Sequence, residues 1–294
     1  MSTNSSFLET LPEESWTGAF APATVSRATA ALEGGRVLYF PRLPFRLEDT
    51  EQPLLSESVS DGKSKNISFD PARGILRGAA EDSAVSGALR GMLERFAKQA
   101  RALVSGVLPG YKDSLEWGLT SYRPARVEGR VTSWRKDDTR LHVDAFPSRP
   151  TRGRRILRVF ANLGQSVRVW HLGEPFEEVA GRFAPTASLP LPGQAWMLET
   201  LHIVKGRRSA FDHVMIQIHD RMKADQPYQE QAIREQAEFP PGSAWIVFTD
   251  QVSHAALSGQ FALEQTFFLP IAALAKQETA PLRVLERTLG RGLA

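Results

Sequence analysis

A change of pattern at Leu115 constrains the fold most strongly. From there to Leu269 the chain consists of short apolar runs separated by Gly, Pro and polar turns. These runs are Val131–Trp134, Leu141–Val143, Ile156–Leu163, Val167–Trp170, Trp245–Phe248 and Leu263–Leu269. Short runs at this spacing are typical of the strands of a β-sandwich or jelly roll. The sequence therefore predicts a β core over residues 115–270.

Helical patterns flank this predicted core. Apolar residues recur at helical spacing up to Val104, and Asp82-Ser83 can cap that helix. We expect it to pack on a sheet rather than lie on a membrane. Residues 195–238 also have a helical pattern, which predicts an insertion, and Pro281 begins a final amphipathic helix. The first 20 residues are polar and acidic, which predicts a loosely held arm or a short helix.

Length and composition favour one domain with a real core. The chain has 294 residues, of which 42% are hydrophobic. We expect an α+β protein, mainly β, with a jelly-roll core and flanking helices. Residues 1–114 would support the core, residues 115–270 would form it with a helical insertion at 195–238, and residues 271–294 would end in a helix.

Several classes of protein are excluded or disfavoured by composition. Cysteine is absent, so the chain has no disulfide, no thiolate nucleophile, no Cys-ligated zinc and no iron–sulfur cluster. No uncharged apolar run approaches the ~18 residues that span a bilayer. The N-terminus lacks a basic region followed by an apolar stretch, so it does not resemble a secretion signal. We expect a soluble, cytoplasmic protein.

Positive charge is concentrated in one segment. Residues 121–158 contain eleven Lys or Arg residues and four Asp or Glu residues, a net charge of +7, whereas the whole chain carries +3. Ten of the eleven cations are Arg, whose planar group suits bidentate binding of carboxylate or phosphate. The segment is either a solvated surface loop or a wall that binds nucleic acid, an anionic lipid head group or an acidic sugar.

One histidine has metal-ligand spacing to a carboxylate. In Arg140-Leu141-His142-Val143-Asp144, the side chains of His142 and Asp144 point to the same side of an extended segment, roughly 7 Å apart along the chain. An imidazole and a carboxylate suit non-haem Fe(II), and a second His would complete a facial triad. A His-x-Asp tripeptide is common and is weak evidence by itself.

His254 is the best candidate for the third ligand. It follows a predicted strand, Ser243–Asp250, that begins after the Pro240-Pro241-Gly242 turn, and a return strand comes after Gly259-Gln260. His213 and His219 would point to different sides of a helix and so could not share a metal. We expect His171 and His202 to be structural.

Arg158 lies on the predicted strand that follows the His142-x-Asp144 tripeptide. Ile156, Arg158, Phe160 and Asn162 share one face of this strand. If that face points inward, Arg158 needs a buried partner, which a dicarboxylate could supply. The alternative is that this face meets solvent while Leu157, Val159 and Ala161 face the core.

His142-x-Asp144, an Arg-bearing strand and a distal His254 together resemble the Fe(II)/2-oxoglutarate-dependent dioxygenases. The resemblance implies a double-stranded β-helix, iron ligation by His142, Asp144 and His254, and a need for Fe(II), 2-oxoglutarate and O₂. Many members bind the far carboxylate of 2-oxoglutarate with an Arg on the strand after the distal His, but residues 261–268 contain neither Arg nor Lys. Other members use the strand that follows His-x-Asp, so Arg158 is assigned this role, with Asn162 as a helper.

More closely, the chain resembles the Kdo hydroxylases of Gram-negative bacteria, which 3-hydroxylate the 3-deoxy-octulosonic acid (Kdo) of Kdo₂-lipid A in lipopolysaccharide. The resemblance covers most of the chain. It rests on residues 35–45, 65–68, 121–124 and 134–144.

The resemblance implies an anionic glycolipid substrate rather than nucleic acid. Peripheral contact with the inner-membrane surface is compatible with the basic segment. Candidates for holding the acidic sugar are Arg123, Arg126, Trp134, Arg135, Arg140, Arg149 and Arg152. Three alternatives stay open: a nucleic-acid demethylase of the same iron class, a non-enzymatic basic module on a membrane surface, and a cupin-like metal isomerase.

Overall fold

Two β-sheets form the centre of the protein. The computed structural model describes residues 7–64, 66–129, 132–190 and 207–294. Within them, eleven strands are β1 Leu8–Thr10, β2 Val37–Phe40, β3 Ile67–Asp70, β4 Ile75–Arg77, β5 Glu116–Arg123, β6 Arg155–Asn162, β7 Arg168–Gly173, β8 Arg234–Phe239, β9 Ala244–Phe248, β10 His254–Ser258 and β11 Ala262–Leu269. The major sheet has the order β1-β2-β9-β6-β11-β5-β3-β4, and the minor sheet has the order β10-β7-β8.

The segment around His142 supplies the fourth position of the minor sheet. His142 pairs with His254 as an isolated antiparallel bridge beside β10. From β5 onward the chain crosses between the two sheets at every step except from β7 to β8, which both lie in the minor sheet, and this is the topology of a jelly roll. The fold predicted from the sequence is confirmed.

Helices cover the outer face of the major sheet and one end of the two-sheet core. They are α1 Pro22–Glu33, α2 Ser83–Val107, α3 Phe176–Phe183, α4 Ala210–Ala224, α5 Gln226–Gln231 and α6 Pro281–Leu289. Short 3₁₀ turns occupy Asp49–Leu54, Glu57–Val59, Pro109–Ser114, Trp134–Lys136, Ile271–Ala273 and Gln277–Thr279. None of the helices in the described part of the chain has the length and apolar character that crossing a bilayer requires.

Helix α2 begins and packs as its sequence predicts. The Asp82 carboxylate accepts hydrogen bonds from the backbone N–H groups of Ala84 and Val85, which caps the first turn. Met92 and Phe96 lie on its buried stripe, in the same apolar cluster as Leu157 of β6. Burying such a stripe against a sheet stabilises both elements, so this helix is part of the core.

Both faces of β6 are buried, which decides between the two orientations that the sequence allowed. Leu157, Val159 and Ala161 face the helical layer. Phe160 lies in the cluster between the two sheets, where its ring stacks on Trp245. Arg158 shares this inward face, so the residue is only 9% exposed.

Four local predictions were wrong or incomplete. Residues 234–239 form β8 rather than helix, because they pair with β7 and alternate buried with exposed side chains. Residues 8–10 form β1, which pairs with β2, rather than a loose arm. Residues 141–143 contribute only the His142 bridge, and residues 134–136 form a 3₁₀ turn. The sequence predictions did not include α3 or β5. Val131 and residues 195–206, including His202, lie outside the described residues.

Candidate metal centre and adjoining arginine cavity

His142, Asp144 and His254 converge at one end of the two sheets. One ligand atom from each residue lies within 4.8 Å of the other two. The Nε2 atom of His142 is 3.9 Å from Oδ1 of Asp144, and the centroids of the two imidazole rings are 4.6 Å apart. Within the described ranges, no other set of three His, Asp or Glu side chains meets this criterion.

Backbone hydrogen bonds hold the three residues side by side. The N–H of His142 donates to the carbonyl of His254 at 3.0 Å, and the N–H of His254 donates to the carbonyl of His142 at 2.9 Å. The N–H of Asp144 donates to the carbonyl of Thr249 at 2.8 Å. Residues that are 112 positions apart in sequence are therefore adjacent because the sheet pairs them.

Each imidazole is oriented by a carbonyl. Nδ1 of His142 lies 2.7 Å from the carbonyl oxygen of Arg140, and Nδ1 of His254 lies 2.8 Å from that of Val252. A carbonyl can only accept, so each Nδ1 carries the proton. The Nε2 atoms are left as lone-pair donors toward the centre, which is the usual arrangement for metal-ligating histidines.

Electrostatics keep all three groups in their ligand forms at neutral pH. Burial lowers the pKa of His142 well below its ordinary value, and the neighbouring His254 lowers it further. Burial also lowers the pKa of His254, although Asp144 opposes the effect. Burial would raise the pKa of Asp144, but the Arg158 guanidinium and the two imidazoles outweigh it and hold that pKa well below its usual range.

A cavity of about 160 Å³ opens beside this cluster. Its walls include three arginines, Arg123, Arg158 and Arg168, and two aromatic rings, Phe160 and Trp170. The remaining lining residues are Asp138, Ala256 and the three members of the cluster. We call this space the arginine cavity. Its positive wall and apolar floor suit a small dianion bound next to a metal.

Arg158, predicted from its strand, lies in the arginine cavity. Its Nη2 is 3.2 Å from Oδ2 of Asp144, and its Nη1 is 3.3 Å from Oε1 of Glu264. Glu264 also pairs with Arg123, whose Nη2 lies 2.5 Å from Oε2. Glu264 stands on β11 and aligns two arginines from the neighbouring strands β5 and β6.

Arg168 is the cavity residue that sequence reasoning missed. It is 2% exposed, and its Nε and Nη1 atoms have no hydrogen-bond partner. Burial lowers the pKa of Arg168 to about 10, and the neighbouring Arg123 contributes in the same direction. The sequence held a signal, because Arg168 and Trp170 alternate along β7 in the same way as Arg158 and Phe160 on β6. The space around it is limited, since a Cβ on Gly259 would lie 2.9 Å from the Arg168 side chain.

Asn162 does not reach the arginine cavity, which corrects its predicted role beside the cosubstrate. Its amide nitrogen donates to the carbonyls of Ser166 and Phe239, and its amide oxygen accepts from the N–H of Gly164. These hydrogen bonds hold the β6–β7 turn and the end of β8. Asn162 therefore shapes the sheet rather than the cavity.

Of the seven candidate substrate residues, only Arg123 lines the arginine cavity. It also lines a smaller adjoining space of about 30 Å³, together with Arg168, Lys136 and polar residues from 132–139; we call this the outer cavity. Arg126, Trp134, Arg135, Arg140, Arg149 and Arg152 are not among the lining residues of either cavity.

The outlying candidates have local roles. The Arg135 guanidinium covers the Trp134 ring at 4.3 Å and pairs with Asp220. Arg140 donates to the carbonyl of Lys223 at 2.8 Å. His219 packs edge-on against His142 with ring centroids 5.4 Å apart, but it is not a member of the ligand cluster.

The donor set fits a divalent iron ion. Two neutral imidazole nitrogens and one carboxylate on one side of a centre leave the opposite positions open toward the cavity. Nδ1 protons held by carbonyls and a carboxylate held by Arg158 provide the outer support that such a centre needs.

Comparison with known proteins agrees with this geometry. Residues 15–292 match the family described as 3-deoxy-D-manno-oct-2-ulosonic acid (Kdo) hydroxylase. The chain belongs to the Kdo hydroxylase family. The family predicted from the sequence is confirmed. Among curated proteins, none matches this chain.

Solved structures of a Kdo hydroxylase are similar over nearly the whole chain. The Kdo hydroxylase KdoO, a non-heme Fe(II) α-ketoglutarate-dependent dioxygenase, has been solved with α-ketoglutarate (2-oxoglutarate) and Fe(III); it is 43% identical, covers 98% of this chain and 97% of its own, and gives a TM-score of 0.94. The same relative with cobalt(II) gives 44% identity, the same coverages and a TM-score of 0.95. Its complex with succinate and Fe(III) gives 43% identity and a TM-score of 0.94, again with coverages of 98% of this chain and 97% of its own. The predicted enzyme class is confirmed for this family.

Proposed function

We propose that this Kdo hydroxylase family member is an Fe(II)/2-oxoglutarate-dependent dioxygenase that hydroxylates C3 of Kdo in Kdo₂-lipid A. The observation that carries the proposal is the His142, Asp144 and His254 cluster at the base of the arginine cavity. Iron held there, with 2-oxoglutarate and O₂, supplies the oxidation of an unactivated C–H bond and the conversion of the cosubstrate to succinate and CO₂.

The three proposed ligands would hold iron where they line the arginine cavity. His142 and His254 contribute Nε2, because their Nδ1 atoms are occupied by carbonyls. Asp144 contributes a carboxylate oxygen and keeps its negative charge through Arg158. The side chains that would hold iron are therefore already oriented by their own hydrogen bonds and ion pair.

Arg158 and Arg168 are proposed to hold the far carboxylate of 2-oxoglutarate. Arg158 is already paired on both sides, whereas the buried Nε and Nη1 atoms of Arg168 have no hydrogen-bond partner. A buried cation without a partner is costly, so an incoming carboxylate gains a strong, charge-assisted contact there. Phe160 and Trp170 exclude water from the same wall.

Arg123 is proposed to meet the acidic sugar. It lies between the two cavities, and Glu264 and Asp138 fix its guanidinium at 2.5 and 3.5 Å. Kdo carries a carboxylate, which the positive rim of the outer cavity would orient with C3 toward the metal. The basic segment around it would face the phosphates of lipid A and the anionic inner-membrane surface on the cytoplasmic side.

The decisive experiment is turnover of defined substrates. Purified protein with Fe(II) and 2-oxoglutarate should add one oxygen atom to Kdo₂-lipid A, detected by mass spectrometry, with matched formation of succinate. His142→Ala and Asp144→Ala should each abolish substrate-dependent succinate while the circular dichroism spectrum is retained. Full activity in either variant would refute the metal assignment. Succinate formation that depends on methylated DNA instead of the glycolipid would refute the substrate assignment.

A further inference from the structure

We infer that Gln229 is a positioning residue for His142, acting through the single peptide plane between Arg140 and Leu141. The inference rests on the proposed function only in taking His142 as a metal ligand. Gln229 lies on α5, away from both cavities, and its side-chain amide contacts the backbone of the residue that precedes His142.

The metal-binding segment has one paired edge and one edge without a strand. His142 uses its N–H and carbonyl to pair with His254. In an extended segment, neighbouring residues direct their N–H and carbonyl groups to opposite edges. Leu141 therefore points its own polar groups away from His254, and the residue is only 1% exposed.

Gln229 takes the place of the missing strand. Its Oε1 accepts from the N–H of Leu141 at 2.8 Å, and its Nε2 donates to the carbonyl of Leu141 at 3.0 Å. Its Nε2 also donates to the carbonyl of Met222 at 2.7 Å. The amide thus satisfies both polar groups of Leu141 and ties them to the end of α4.

The peptide plane transmits this contact to the imidazole. The N–H of Leu141 and the carbonyl of Arg140 belong to the same planar unit and point in opposite directions. On one side the N–H donates to Gln229, and on the other the carbonyl accepts from Nδ1 of His142 at 2.7 Å. A continuous chain of hydrogen bonds thus runs from Gln229 through the peptide to the imidazole of His142. It fixes the plane of the imidazole ring and therefore the direction in which Nε2 points.

A second contact supports the same segment. The guanidinium of Arg140 donates to the carbonyl of Lys223, which lies on α4 like Met222. His254, in contrast, is held by the carbonyl of Val252 within its own loop. The helical pair α4 and α5 therefore acts specifically on the His142 side of the metal centre.

The test is cobalt(II) binding to the apo protein by calorimetry and by its d–d absorption spectrum. Gln229→Leu should weaken cobalt(II) binding by about 10- to 100-fold and change the spectrum, because the imidazole is no longer held in direction. Gln231→Leu is the matched control, since Gln231 lies on the same helix, is exposed and makes no side-chain hydrogen bond. It should bind cobalt(II) as the wild type does.

A second variant separates positioning from folding. Gln229→Glu keeps an oxygen for the N–H of Leu141, so its cobalt(II) affinity should lie between those of the wild type and Gln229→Leu. The inference is overturned if Gln229→Leu lowers the melting temperature but leaves affinity and spectrum unchanged, or if the glutamate variant is as weak as the leucine variant. Failure of the wild type to bind one cobalt(II) would instead refute the metal centre itself.

Discussion

Replacing Arg168 with methionine should stabilise the apo protein and weaken its binding of 2-oxoglutarate. Arg168 is 2% exposed, and the Nε and Nη1 atoms of its guanidinium have no hydrogen-bond partner. Burial is the chief cause that lowers its pKa to about 10. At about 1.4 kcal/mol for each pKa unit, burial disfavours the charged form by about 3 kcal/mol. Methionine removes this cost and fills much of the same space, so we expect a gain of about 1–3 kcal/mol in the free energy of unfolding.

The same change removes a proposed partner of the cosubstrate carboxylate. A hydrogen bond to a charged group contributes about 1.5–3 kcal/mol, so the KM for 2-oxoglutarate should rise by roughly 10- to 150-fold. Arg73→Met is a suitable control, because Arg73 is exposed and no contact of its guanidinium is seen. Arg73→Met should change neither the free energy of unfolding nor the KM for 2-oxoglutarate.

Two measurements check the expected trade-off for Arg168→Met. Urea denaturation of the metal-free protein gives the stability change, and succinate formation at varied 2-oxoglutarate gives the KM. An Arg168→Met protein with wild-type KM would show that the cosubstrate carboxylate binds elsewhere. A loss of several kcal/mol in apo stability would show that the buried guanidinium has a stabilising partner, and the electrostatic reasoning would fail.

The remaining predictions concern stability. Arg155→Met should lower the free energy of unfolding, measured by urea denaturation, by about 3–5 kcal/mol. The change leaves the Asp250 carboxylate, which lies 2.8 Å from Arg155 on a side chain that is 3% exposed, buried without its charge partner. Adding Asp250→Leu should recover most of the lost stability, and a double variant without recovery would argue against this charge pair. The pKa values of His142 and His254 are lower in the folded protein than in the unfolded chain. Below about pH 6.5 the unfolded chain therefore binds more protons than the folded protein. The free energy of unfolding of the apo protein should fall there, as pH decreases, by up to about 1.4 kcal/mol per pH unit for each histidine. Stability should recover as pH rises through this range. If replacing both histidines with Asn left the pH dependence of the free energy of unfolding unchanged between pH 7.5 and 5.5, these two histidines would not be its source.

Much of the fold could be predicted from sequence because local patterns report local structure. The apolar run at 156–163 and the capped helix after Asp82 correspond closely to β6 and α2. The turns at Pro241-Gly242 and Gly259-Gln260 separate the last strands as predicted, with Gly242 and Gly259 at positive φ. The errors fell where pairing overrides local preference, as in β8, whose polar sequence forms a strand because β7 lies beside it.

The three candidate metal ligands were also accessible from sequence, because ligand chemistry restricts residue types and spacing. His142 and Asp144 are two positions apart, which an extended chain converts directly into proximity. His254 required the further expectation that a late strand returns to the same edge. Its contact with His142 is a property of sheet pairing, which the structure supplies.

The sequence by itself indicated the strand pattern, the basic segment and the candidate ligands His142 and Asp144, since these depend on composition and on separations of a few residues. Only the tertiary structure decided which arginines line the cavity beside these residues. Of the named substrate candidates, Arg123 alone lines the arginine cavity, whereas Arg168 was not foreseen. The physical reason is that the cost of a buried charge depends on its three-dimensional partners, and neither Glu264 nor Gln229 adjoins in sequence the residue it holds.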